Sequence, residues 1–156
     1  MSPPTIHATA IRFDGHGLLL RGASGSGKST LARLLLERAA LSGRDACLVA
    51  DDRVILTVDA AGALIASPPA ALAGLLEVAG LGIIAMSHAP AVPLALVVDL
   101  VSEDNLERMP DAASRRMVLA GVALPRVAVP RRSALTPGLV DLAIATLVTG
   151  RIRLLP

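Results

Sequence analysis

Aromatic side chains are almost missing from this sequence: one Phe, no Trp and no Tyr in 156 residues. Without aromatic platforms the chain lacks the means to hold single-stranded nucleic acid by base stacking, so no nucleic-acid partner is expected. A single cysteine, Cys47, excludes a disulfide framework and any zinc cage built from several thiolates. No charged segment followed by an apolar run opens the chain, so no secretory leader is expected. A 21-residue stretch without Asp, Glu, Lys or Arg runs from Val78 to Val98. It is broken by Gly80, Gly82, His88, Pro90 and Pro93, so it does not read as a membrane helix. What remains is 53% apolar and 18% charged, enough to bury a sizeable core. One cytoplasmic domain over residues 1–156 is expected.

Lysine is the other scarcity. Fourteen of the fifteen basic residues are Arg, and the only lysine is Lys28. A lone compact ammonium marks a role that a guanidinium fork fills badly. Charge is also uneven. Residues 1–111 hold eight basic and twelve acidic side chains, whereas residues 112–156 hold seven Arg and one acid, Asp141. Arg115, Arg116, Arg126, Arg131 and Arg132 share an acid-free stretch suited to an acidic partner or to phosphate.

Alternating apolar positions predict a strand over Thr5–Phe13, a turn at Asp14-Gly15-His16-Gly17 and a second, buried strand over Leu18–Arg21. Helical spacing follows from Lys28 to about Leu41, closed by Ser42-Gly43. Further strands are predicted at Cys47–Ala50, Val54–Val58, Ala63–Ala66, Leu81–Ala85, Leu94–Val101 and, weakly, Arg126–Val129. Helices are predicted over Asp111–Gly121 and from Pro137 to about Thr149. The fold class is therefore α/β, a phosphate-loop nucleotide-binding domain on a mixed sheet that includes hairpins.

The phosphate loop carries the functional reading. Gly22-Ala23-Ser24-Gly25-Ser26-Gly27-Lys28-Ser29 fits G-x-x-x-x-G-K-[ST] at every fixed position, between a buried strand and an amphipathic helix, with Thr30 continuing into that helix. Glycines let successive backbone N–H groups face phosphate oxygens, and the helix start adds positive potential. Lys28 can reach the β- and γ-phosphates, and the Ser29 hydroxyl can ligate Mg²⁺. ATP and Mg²⁺ are the implied cofactors.

Such a loop needs a carboxylate near its metal, at the end of an apolar strand. Asp51-Asp52 and Asp99 both qualify, and adjacent strand-end acids point to opposite sides. One of the pair would face the metal and the other would be free for general-base work. Glu77 stands isolated among apolar residues, either as a metal ligand or as a solvated side chain. His7 lies on the first strand, either as a structural residue or near the loop.

These residues, in the order His7-Ala8, Gly22 to Ser29, Leu48-Val49-Ala50-Asp51-Asp52-Arg53-Val54 and Glu77 through Gly80-Leu81-Gly82-Ile83-Ile84, resemble the catalytic domain of bacterial HPr kinase/phosphorylase. The likeness runs from about His7 to Arg108, and the chain is expected to be the short, alphaproteobacterial-type form without an N-terminal domain. The resemblance implies an ATP-dependent serine kinase acting on the phosphocarrier HPr or an HPr-like protein, a reverse phosphorolysis, and a hexamer. It implies an active-site histidine at His7, the loop lysine at Lys28, Mg²⁺ ligands at Ser29 and Glu77, a proton acceptor at Asp52 and a further active-site arginine at Arg108. Two departures weaken the phosphorolysis half: Ala79 stands where the family has Arg, and the Arg/Pro-rich loop is faintly echoed by Val129-Pro130-Arg131-Arg132. The alternatives are a small-metabolite kinase and a non-enzymatic nucleotide-binding module.

Overall fold

The computed structural model describes residues 3–156. Its frame is a mixed sheet whose central strands are buried on both faces. β2 (Thr9–Phe13) and β3 (His16–Arg21) form a hairpin around Asp14-Gly15. Both turn residues have positive φ, 50° and 80°, as a tight two-residue hairpin of this hand requires. β3 then runs parallel to β9 (Val92–Val101), and β9 runs parallel to β11 (Val122–Pro130). β4 (Ala46–Ala50) pairs antiparallel with β2, so it points the same way as β3, β9 and β11. The carboxyl ends of four strands therefore gather at one edge, where open α/β sheets place their sites.

Continuous apolar runs in β3 and β9 follow from two-sided burial. Leu18 and Leu20 face α1 (Lys28–Leu41), packing with Leu31, Ala32, Leu35, Leu96 and Val98. Leu19 and Val97 face the other way, into a second core with Val49, Val54, Leu64 and Leu124. β5 (Arg53–Val58) and β6 (Leu64–Ser67) curl over that second core and receive β1 (Thr5–His7) at their edge. β7 (Leu75–Val78) and β8 (Gly82–Ala85) form a separate hairpin. α2 (Thr136–Ala143) runs on as a π-helical turn over Ile144–Val148. Among the described residues no helix is long and apolar enough to cross a membrane.

α1 ends at the glycine expected to stop it. Gly43, at φ 69°, gives its N–H to Ala40, and the next N–H, of Arg44, returns to Ala39, which closes the last turn. Asp141 on α2 takes hydrogen bonds from both Arg38 and Arg44, clamping the two helices together.

Three expectations change. The first strand is two: at the buried Ala8 the chain leaves β5 and joins β3 and β4, so partner exchange divides an unbroken pattern. Asp111–Gly121 is no helix. Asp111 caps a turn by accepting the Ser114 N–H at 2.8 Å, and β10 (Arg116–Leu119) returns through Ala120-Gly121 onto β11. Met117 and Leu119 face the core while Val118 lies exposed, a period of two over too few residues to outweigh helical spacing. The weak strand at Arg126–Val129 is the middle of nine-residue β11, flanked by β9 and β10.

Asp99 lies within β9 and holds the parallel strands by charge. It accepts two hydrogen bonds from Arg21 on β3, at 2.7 and 2.8 Å, and one from Arg126 on β11, at 2.6 Å. Burial pushes its pKa up, but the two guanidiniums outweigh that and hold the carboxyl below its ordinary range. A depressed carboxyl stabilises the fold above the unfolded-state pKa, and that contribution fades as pH falls through the native value. Asp99→Ala should therefore cost about 3 kcal/mol at neutral pH by leaving two Arg unpaired. In urea denaturation the gap between wild type and variant should shrink below about pH 4. A gap unchanged by acid would contradict the ionic account.

Candidate active site

The glycine-rich loop leaves the buried end of β3 and enters α1 without a side-chain cap. Gly27 occupies the cap position at φ 94°, and Gly25 has φ 77°. Gly22 is fixed by space instead: a Cβ there would come within 2.5 Å of the Ser26 hydroxyl. That hydroxyl is buried and has no hydrogen-bond partner, an orphan of the kind that a bound oxygen satisfies. Lys28 is buried, and its ammonium donates to the carbonyls of Gly22 at 2.9 Å and Ala23 at 3.2 Å. Burial lowers its pKa, with the charges of Asp51 and Asp52 opposing that shift.

The two aspartates of the β4–β5 corner part company. Asp51 turns inward. Its Oδ1 accepts the hydroxyls of Ser29 and Thr9, each at 2.8 Å, and its Oδ2 accepts the Glu77 N–H at 3.1 Å. Asp52 adopts φ 65°, a strained conformation for a non-glycine residue, and its carboxylate turns outward with 60% of the side chain exposed. His7 sits opposite Arg53 in the β1–β5 ladder, beside this corner. Its Nδ1 lies 3.1 Å from the Asp52 carboxylate and 3.1 Å from the Asp52 carbonyl.

Together these groups line a cleft of about 230 Å³ that takes in His7, Ser24, Lys28, Ser29, Asp51, Asp52 and Glu77, with the exposed Thr30 at its edge. The oxygen donors fit a hard divalent cation. Ser29 Oγ gives its proton to Asp51, which leaves its lone pairs free, and Glu77 supplies an exposed carboxylate. Among the described residues no group of three or more His, Cys, Asp or Glu is placed to hold a metal unaided. Mg²⁺ suits such a sparse set, because it keeps waters and takes its remaining ligands from substrate phosphates. A roomier, apolar cavity of about 330 Å³ against α2 lies apart from all of these groups.

Some sequence candidates fall elsewhere. Asp99 is engaged with Arg21 and Arg126 and does not line the cleft. Arg108 lies exposed in the segment after β9, also outside the cleft of its own chain. The run of arginines disperses: Arg126 is internal to the sheet, and Arg115 bonds the carbonyls of Pro110 and Asp111. Arg132 turns the other way, and its guanidinium donates to the Gly25 carbonyl of the glycine-rich loop. It faces the same cleft as Ala79, so a guanidinium reaches that side from the end of β11. The sequence offered Arg132 only as part of a faint Pro130-Arg131-Arg132 echo, suited to an acidic partner or to phosphate; its arrival here depends on β11 running parallel to β9, as β3 does, and ending at the same edge.

Comparison with known proteins agrees with this geometry. The family model for the HPr Serine kinase C-terminal domain matches residues 2–150. The HPr kinase/phosphorylase of Geobacillus thermodenitrificans is 33% identical over 143 residues, covering 85% of this chain and 44% of that protein. That of Bordetella pertussis is 38% identical over 116 residues, covering 68% and 36%. The solved Hpr(Ser) kinase/phosphatase from Coxiella burnetii superposes with a TM-score of 0.75 at 25% identity, over 90% of this chain and 88% of that one. The chain spans about two-fifths of the length of the curated relatives it matches.

If the loop binds phosphates through Lys28, nucleotide should stabilise the wild-type fold. ADP with Mg²⁺ at a hundred times its Kd should add about 2.7 kcal/mol. Thermal denaturation should show that shift in wild type and lose it in Lys28→Ala, each protein being read against its own melting temperature without nucleotide, since the variant also leaves the Gly22 and Ala23 carbonyls unpaired. An equal nucleotide shift in both proteins would contradict this placement.

Proposed function

The chain belongs to the HPr serine kinase C-terminal domain family, and from that premise we propose that it is a cytoplasmic, ATP-dependent kinase that phosphorylates a serine of HPr or an HPr-like phosphocarrier. The observation that carries the reading is the division of the Asp51-Asp52 pair: one carboxylate locked behind the Ser29 hydroxyl, the other free at the cleft mouth beside His7.

Position supports the following roles. Gly22 to Ser29 forms a phosphate loop whose N–H groups would hold the phosphate oxygens of ATP, with the Ser26 hydroxyl inside it and the Lys28 ammonium exchanging the Gly22 and Ala23 carbonyls for the β- and γ-phosphates. Ser29 and Glu77 would hold Mg²⁺, which supplies charge neutralisation at those phosphates. The acceptor serine approaches Asp52, which takes its proton as the serine oxygen bonds to the γ-phosphorus and the bond to the β–γ bridging oxygen breaks. His7 holds the Asp52 carboxylate in place. Arg132, on the loop at Gly25, adds positive charge where an attacking inorganic phosphate would lie in the reverse reaction. That supports a retained phosphorolysis despite Ala79. The hexamer implied by the resemblance belongs to the same proposal.

A protein acceptor suits the cleft better than a metabolite. Glu77 is paired across the β7–β8 hairpin with Ile83, which is 71% exposed, and Leu81 at the turn is 73% exposed. Apolar side chains beside the metal carboxylate suit a surface that closes over them, and a small polar substrate gains nothing from them.

Asp52→Asn keeps the shape and removes the base. Phosphoryl transfer to HPr, followed by intact mass, should fall about 10²–10⁴-fold. Nucleotide affinity, read by calorimetric titration, should stay within a factor of about two. If affinity for Mg²⁺–nucleotide collapses instead, Asp52 is a metal ligand and its assignment as the base is wrong.

A further inference from the structure

We propose that Thr9 is a positioning residue for the metal side of this cleft, acting through Asp51; the inference rests on the Mg²⁺–nucleotide reading above.

Thr9 opens β2, whose other buried side chains, Ala10, Ile11 and Phe13, are apolar. Its side chain is fully buried. A hydroxyl so placed is costly unless it is bonded, and its bond is specific: Oγ1 donates to Asp51 Oδ1 at 2.8 Å. Register explains the meeting. Ala10 pairs with Ala50 in the antiparallel β2–β4 ladder, so the next residues outward, Thr9 and Asp51, face each other at the sheet edge.

The consequence lies in how Asp51 is filled. Oδ1 accepts two hydroxyl protons, from Thr9 and from Ser29, while Oδ2 accepts the Glu77 N–H. Three donors from β2, α1 and β7 fix the carboxylate in position and rotation. With Asp51 fixed, the Ser29 proton points inward and its lone pairs point into the cleft. The Glu77 backbone, and with it the Glu77 carboxylate, is held on the same side. Removing the Thr9 hydroxyl takes away one of the two donors on Oδ1 and lets the carboxylate turn. Ser29 and Glu77 then lose their common reference, although neither residue has changed. The N–H groups of the loop and Lys28 have no part in this set, so nucleotide binding without metal should be spared.

The test compares the wild-type chain with Thr9→Val, Thr9→Ala and Thr9→Ser. ADP affinity is measured by calorimetric titration with Mg²⁺ and again in EDTA, and Mn²⁺ replaces Mg²⁺ for electron paramagnetic resonance of the bound cation. Loss of a hydrogen bond to a charged group is worth about a tenfold change in affinity or more. Thr9→Val should therefore lose about tenfold in Mg²⁺–ADP affinity and show an altered Mn²⁺ spectrum, with metal-free ADP affinity within about twofold of wild type. Thr9→Ser should recover both readouts. Thr9→Ala, which removes the hydroxyl without adding a methyl to the core, should behave like Thr9→Val and serves if the valine disturbs packing. Equal weakening with and without metal would make Thr9 a packing residue only and overturn the inference. So would variants that match wild type throughout. A wild-type protein that binds no nucleotide in either condition would overturn the underlying reading itself, a different and separable failure.

Discussion

Asp51 is the point from which the site is built. One buried carboxylate receives a hydroxyl from β2, a hydroxyl from α1 and a backbone N–H from β7. These elements come from three separate stretches of chain, and β7 belongs to a hairpin outside the main sheet. Leu76 packs β7 against α1, and the shared acceptor adds a directional tie between Glu77 and Ser29 that packing alone does not supply. The carboxylate can be buried because each oxygen is satisfied by donors, and its desolvation is offset by that completeness. Its neighbour Asp52 is the complement. The corner places it in a conformation that side chains avoid, and the result is an exposed carboxylate beside His7.

Acids divide their work across the fold. Asp99 links β3, β9 and β11 by taking hydrogen bonds from Arg21 and Arg126. Asp141 links α1 and α2 through Arg38 and Arg44, and Arg44 also lies 4.7 Å over the ring of the only Phe, Phe13. The arginine-rich composition thus serves partly to satisfy buried or half-buried carboxylates. A planar fork that donates twice to one carboxylate does this better than lysine. Lys28 is spared for the loop, where a slim point charge fits among carbonyls.

Local chemistry was legible in the sequence wherever consecutive residues carried it. Gly22 to Ser29 dictated a turn into a helix, Ser42-Gly43 dictated its end, and the double aspartate marked a corner with two faces. What failed to show was whatever depended on partners distant in the chain. The break at Ala8 arises because β1 and β2 join different strands, and no single-strand pattern records that. β10 reads as helix because four residues are too few to display a period. Asp99 carries the same apolar-strand-then-acid signature as Asp51. Only the presence of Arg21 and Arg126 beside it makes one structural while the other meets the loop. Arg132 looked like part of a basic surface until the parallel β11 delivered it to Gly25.

The proposed reaction moves the γ-phosphoryl group of ATP onto a serine of a phosphocarrier protein. Its most direct measurement is incubation of the chain with ATP, Mg²⁺ and purified HPr, in parallel with HPr whose acceptor serine is replaced by alanine, followed by intact mass and fragmentation. One phosphoryl group is expected on the serine of the first HPr and none on the second. ATP consumed with both HPr proteins left unmodified, or equal labelling of the two, would contradict it.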